Sequence, residues 1–118
     1  MSDCIFCKIV RNEALADILY EDEYSVVFKS INPVAPVHLL VVPKKHIISV
    51  DHIVENDKKL IGHLFLVAQK VAAEQGIDSG YKLAVNVGRA GGQEVFHLHI
   101  HLLGGWKNAR DRDIPNMP

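Results

Sequence analysis

Cysteine and tryptophan are scarce in this chain of 118 residues, at two and one, and neither sign of charge prevails. Each shortage excludes something. A formal net charge of −1 gives none of the basic field that phosphate-backbone binding needs. Lys44, Lys45, Arg110 and Arg112 are local positive spots that read as solvated surface. No apolar stretch approaches the roughly 20 residues that cross a bilayer. The longest, His38 to Pro43, has the length of a buried strand. Met1 to Lys8 lacks the basic stretch and long apolar core of a secretory leader. The expected compartment is therefore the cytoplasm, where Cys4 and Cys7 would not form a structural disulfide. With no repeat or low-complexity segment, one compact domain is expected.

What is present alternates briskly between turn residues and short apolar runs. Ile5 to Val10 suits one or two helical turns. Asp17–Glu21 and Tyr24–Lys29 read as a hairpin about the polar Glu21-Asp22-Glu23. Asn32-Pro33 and Ala35-Pro36 then break regular structure before a strand over Val37–Val42 that Pro43 ends. One long helix is predicted from Asp57 to Gln75, with Asn56 as N-cap. Leu60, Ile61, Leu64, Val67, Ala68, Val71 and Ala72 form its apolar stripe. Gly76 and Ile77 suit its C-terminal cap. Phe65 and Leu66 lie off the stripe and suggest a second packing surface. Strands are predicted over Tyr81–Val87 and Val95–Leu103, flanking the glycine-containing loop Gly88–Gly92. Strands gathered around one helix, without βα alternation, indicate an antiparallel α+β domain.

The chemistry concentrates near the end. His97, His99 and His101 alternate, which on a strand puts three imidazoles on one face, neighbours roughly 7 Å apart. Phe96, Leu98, Ile100 and Leu102 take the other face and are all apolar. A zinc cluster is the rival reading, although only Glu94 supplies a flanking acid. The preceding Gly91-Gly92-Gln93 allows close backbone approach, and successive amide N–H groups can cradle an anion. Asn86 by itself reads as a turn former. His38 opens an apolar strand and could be a satisfied core histidine. His52 and His63 read as surface histidines.

These residues closely resemble the histidine-triad (HIT) nucleotide-binding family, specifically the bacterial type of its Hint branch. The signature is His97-Leu98-His99-Ile100-His101-Leu102-Leu103-Gly104-Gly105, preceded by Gly91-Gly92-Gln93-Glu94-Val95-Phe96. Pro36-Val37-His38 through Pro43-Lys44-Lys45-His46-Ile47 matches a second block, and Ile5-Phe6-Cys7-Lys8-Ile9 with Glu13 a third. The likeness covers about residues 4–105 of a single HIT domain, leaving 106–118 as a tail.

The resemblance implies a five-stranded antiparallel sheet with one long helix and one short N-terminal helix, the sheet extended across a homodimer. It implies hydrolysis of the P–N bond of purine nucleoside 5′-phosphoramidates, with AMP- or GMP-type substrates and His99 as covalent nucleophile. His101 and His97 would flank the phosphate, with His38 supporting the triad. Asn86, Gln93 and the Gly92 amide would contact the phosphate region. Phe6, Ile9, Phe28 and Ile31 fall where the family forms its nucleobase pocket. Ser30 replaces an acidic residue that commonly meets the ribose, and Glu94 stands where some relatives carry serine near the leaving group. Catalysis needs no metal in this scheme. A structural zinc at Cys4, Cys7, His46 and His97 is implied by relatives with the same N-terminal pair. Competing readings are a dinucleoside polyphosphate hydrolase, as in the Fhit branch, and a nucleotide- or zinc-binding regulatory module with little turnover.

Overall fold

A computed structural model describes residues 4–112; Met1–Asp3 of the N-terminal stretch and 113–118 of the predicted tail lie outside it. The short helix α1 spans Ile5–Val10. Strand β1 (Ile18–Glu21) pairs antiparallel with β2 (Ser25–Lys29) around a turn that Asp22 organises. Its Oδ1 accepts from the N–H groups of Tyr24 and Ser25, each at 2.8 Å, and from Ser25 Oγ at 2.9 Å. Its Oδ2 accepts from Tyr20 Oη at 2.9 Å and His63 Nε2 at 2.7 Å. Burial opposes the charge of Asp22, but these donors overcome it and hold the carboxyl well below the usual range. His63 is therefore not the surface histidine expected from the sequence. It is half-buried, stacks edge-on to Tyr24, and ties the hairpin turn to the long helix. Removing one acceptor of five mostly part-buried bonds leaves its donors stranded. Asp22→Ala is accordingly expected to cost about 2–3 kcal/mol, read as a lower urea midpoint at unchanged slope.

β3 (Val37–Pro43) runs antiparallel to β2 and to β5 (Ile100–Gly104), and β4 (Tyr81–Ala84) closes the far edge. The sheet order is β1-β2-β3-β5-β4. Alternation then sorts the side chains onto two faces. Val27, Leu39, Val41, Ile100 and Leu102 pack against Leu64, Val67, Ala68, Val71 and Ala72 of α2, which spans Lys58–Glu74. Val26, Phe28, Leu40 and Val42 face the other way and are covered by Phe6 and Ile9 of α1. His38 pairs with Leu103, and Leu40 with His101, so both histidines belong to this second, α1-covered face. The long helix thus builds the core, and the short helix borders the site.

The predicted helix stripe is the buried face of α2, while Phe65 and Leu66 stay 46% and 65% exposed. Gly76 takes φ +73°, and the Ile77 N–H reaches Ala72 O at 3.0 Å, closing the helix as expected. Three details differ. Asn56 is not the N-cap: it lies inside a 3₁₀ turn, Glu55–Asp57, because the buried Asp57 carboxylate bonds Val54 N–H and Lys45 Nζ. β4 stops at Ala84 rather than Val87, where Asn86 turns in to bond Gly91 O. β5 starts at Ile100 rather than Val95, because the Leu98 N–H bonds Ile47 O at 2.6 Å and the His97 carbonyl bonds the His99 ring, neither joining a strand ladder.

Candidate active site

That late start matters, since only His101 of the three alternating histidines lies on the strand. His97 and His99 precede it, His97 in a bend. All three are buried rather than displayed, at 0%, 8% and 7% exposure for His97, His99 and His101. They serve two neighbouring constellations.

The first is a row of imidazoles with defined hydrogen positions. His99 Nδ1 lies 2.7 Å from the carbonyl of His97, which can only accept, so Nδ1 carries the hydrogen and Nε2 keeps its lone pair. Val34 N–H donates to His38 Nδ1 at 3.1 Å. His38 must then donate through Nε2 to His101 Nδ1, 2.9 Å away. His101 consequently carries its hydrogen on Nε2. Neither His99 Nε2 nor His101 Nε2 has a protein partner among the described residues, and no fully buried side-chain nitrogen lacks one. Both edges therefore meet solvent: one as a lone pair, the other as an N–H. The two rings stand 4.9 Å apart, and Phe6 packs edge-on to His99 at 5.1 Å. Burial lowers the pKa of His99, partly offset by the His97 carbonyl. Burial foremost, with repulsion from His99 and His38, pushes His101 down to about 3. Both rings are neutral at neutral pH.

The second constellation joins His97 to Cys4, Cys7 and His46, whose ligand atoms all lie within 4.8 Å of one another. His97 Nε2 donates to Pro43 O at 2.8 Å, which turns the Nδ1 lone pair toward the others. Burial lowers its pKa to about 4, keeping the ring in the form that ligates. Tetrahedral zinc would space sulfur from nitrogen by about 3.5 Å and nitrogen from nitrogen by about 3.3 Å. The observed separations are 3.4 Å for Cys4 Sγ–His97 Nδ1, 3.2 Å for Cys7 Sγ–His46 Nδ1, 3.5 Å for Cys7 Sγ–His97 Nδ1 and 3.1 Å for His46 Nδ1–His97 Nδ1. Two thiols and two imidazoles at these distances fit one metal ion with a closed coordination shell.

Around them, the glycine loop is held by its own bonds. The N–H groups of Gly91, Gly92 and Gln93 reach Gly88 O, Arg89 O and Gly88 O at 3.0–3.1 Å. Gly92 adopts φ +89°, and Asn86 Nδ2 holds Gly91 O at 2.8 Å. Gln93 is 3% exposed and spends its carboxamide on Gly88 N–H, Ile48 O and Val95 O. It straps the loop to the segment that carries His46, a role its spacing in the sequence does not announce. Glu94 is exposed. Phe6, Ile9 and Phe28 cluster together, the two aromatic rings 5.3 Å apart, whereas Ile31 is 93% exposed in the 30–36 loop. Ser30 Oγ accepts from Asn32 N–H at 3.2 Å. Sequence reasoning missed Val34 and Pro43, which act only through main-chain atoms.

A family profile described as HIT domain matches residues 11–108. This chain belongs to the HIT family. Protein HitA of Neisseria gonorrhoeae is 47% identical over 104 residues, which cover 88% of this chain and 97% of HitA. A HIT protein of solved structure, a histidine triad protein from Clostridium difficile, is 43% identical with TM-score 0.88, covering 100% of this chain and 98% of the other. A HIT family hydrolase from Legionella pneumophila Philadelphia 1 is 42% identical with TM-score 0.87, covering 89% of this chain and 95% of the other. The HIT fold expected from the three sequence blocks is the fold observed. Among the described residues, no helix is long and apolar enough to cross a membrane.

Proposed function

We propose that this HIT protein is a nucleotide hydrolase of the Hint type, cleaving the P–N bond of nucleoside 5′-phosphoramidates through a nucleotidyl-His99 intermediate. The observation that carries this reading is the solvent-facing pair of a lone pair on His99 Nε2 and an N–H on His101 Nε2. His99 Nε2 attacks the α-phosphorus. A P–N bond to imidazole forms, the bond to the leaving amine breaks, and its electron pair departs on nitrogen, which takes up a proton. Water then attacks the same phosphorus and releases the nucleoside monophosphate and free His99. Two steps replace one harder one. His101 Nε2–H donates to a phosphoryl oxygen, where fixed donors stabilise developing charge. The bound anion raises the pKa of His101 and draws it toward the imidazolium.

In this reading Phe6, Ile9 and Phe28 border the base, with Ser30 and Ile31 from the neighbouring loop, and Asn86, Gly92 and Gln93 shape the phosphate side. Glu94 faces the departing amine. Cys4, Cys7, His46 and His97 hold a structural zinc, which cross-links helix α1 to the run-in to β5 and takes no part in bond making. The exposed Phe65 and Leu66 and the edge strand β4 support a homodimer whose sheets join.

The test is incubation with adenosine 5′-phosphoramidate and mass spectrometry of the acid-quenched, denatured protein. Turnover with one nucleotidyl group on the peptide holding His99 supports the reading. Tight AMP binding with neither turnover nor adduct would replace it by the binding-module reading, and cleavage of dinucleoside polyphosphates alone by the Fhit-type reading. The pH profile is also set. A base whose pKa is lowered by burial loses function only when pH falls through that lowered value. kcat/KM should therefore stay flat as pH drops through 6.5, the ordinary histidine value, and decline only below it.

A further inference from the structure

We propose that the main-chain amide of Val34 sets the tautomer of His101 through His38, so that the 30–36 loop holds the solvent-facing imidazole as an Nε2–H donor. The argument is one of direction. A peptide N–H can only donate, and Val34 N–H points at His38 Nδ1 from 3.1 Å. That leaves one hydrogen for His38, on Nε2, and Nε2 lies 2.9 Å from His101 Nδ1. If His101 instead carried its hydrogen on Nδ1, His38 would have to accept there and place its own Nδ1–H against the Val34 N–H. Two donors would then face each other at 3.1 Å beside rings only 5% and 7% exposed. The switch therefore has one low-energy setting.

The setting is imposed from an exposed loop. Ser30 N–H is anchored to His38 O at 3.0 Å and Asn32 N–H to Ser30 Oγ at 3.2 Å. Between these anchors and β3 the chain presents Ile31 and Val34 at 93% and 38% exposure. Val34 contributes through its backbone, so its side chain can change while its amide cannot. Val34 is thus a positioning residue: it touches neither phosphorus nor leaving group, yet fixes which nitrogen of His101 bears the hydrogen.

The wiring is tested on the ligand-free full chain, labelled with nitrogen-15, by long-range imidazole correlation spectra, with His101 assigned from His101→Gln. The unmodified chain should show Nε2 protonated and Nδ1 bare. Replacing the Val34 amide by an ester, through nonsense suppression with the α-hydroxy analogue of valine, puts an oxygen in place of the N–H and leaves every side chain unchanged. His101 should then become a mixture of both tautomers. Val34→Pro should do the same, and Val34→Ala, which keeps the amide, should keep the original pattern. If the proline variant does not fold, the ester decides. A His101 that stays wholly Nε2–H in the ester overturns the proposal. Its kinetic consequence, a fall in kcat at little-changed KM, rests on the phosphoramidate reading. The tautomer is read without substrate, so failure of the reaction and failure of the wiring are separate results.

Discussion

His99→Ala should lower kcat/KM for adenosine 5′-phosphoramidate by at least about 10³-fold, because a covalent route loses its only bond-forming atom. Three features of the site lead to this size. Of His38, His99 and His101, only His99 keeps its imidazole lone pair for solvent, since His38 Nδ1 accepts from Val34 and His101 Nδ1 accepts from His38. Its Nδ1 is locked on the His97 carbonyl at 2.7 Å, so the ring cannot flip without abandoning a buried bond. Burial keeps it neutral. His101→Ala should be milder, on the order of 10²-fold, because it removes a donor to phosphate and leaves the nucleophile in place. Steady-state rates on both variants, with circular dichroism to confirm folding, check the order. Equal losses would mean that the two rings act as one unit and that His101 does more than donate to phosphate.

Metal removal should produce the second large effect, on stability rather than on chemistry. A closed site that ties α1 to the approach to β5 contributes its binding free energy to folding. Even a share of about 3 kcal/mol would move the melting temperature by about 10 °C in a chain of this length. The protein as purified should carry one zinc per chain, and a strong chelator should lower the melting temperature by that amount. His46→Asn is the cleaner variant, because His46 is exposed while Cys7 and His97 are buried. It should lose the metal and melt earlier, yet still form the His99 adduct. A His46→Asn protein that melts with the unaltered one would remove the structural role.

Continuous apolar runs made β2 and β3 legible, and three- and four-residue apolar spacing the stripe of α2, since both are short-range signals. The three histidines, the C-x-x-C pair and the glycine loop were legible as residue types. What escaped was written in main-chain atoms. Nothing in the identity of Val34 or Pro43 distinguishes them, for any residue at 34 other than proline supplies the N–H and any residue at 43 the carbonyl. The strand was drawn too long for the same reason: Val95–Leu103 has strand composition throughout, but the Leu98 N–H is claimed by Ile47 O and the His97 carbonyl by the His99 ring rather than by a ladder. His63 was misjudged because its partner Asp22 is 41 residues away.

His97 divides its labour between side chain and backbone: its ring belongs to the thiol cluster, and its carbonyl aims His99. A side chain can be exchanged by altering the gene; a carbonyl cannot. A substitution at 97 that carries no donor atom therefore deletes a ligand while keeping the acceptor that orients the neighbouring ring. In genetic terms the two duties are separable at a single codon, and the aim of His99 is open to disturbance only through the path of the main chain.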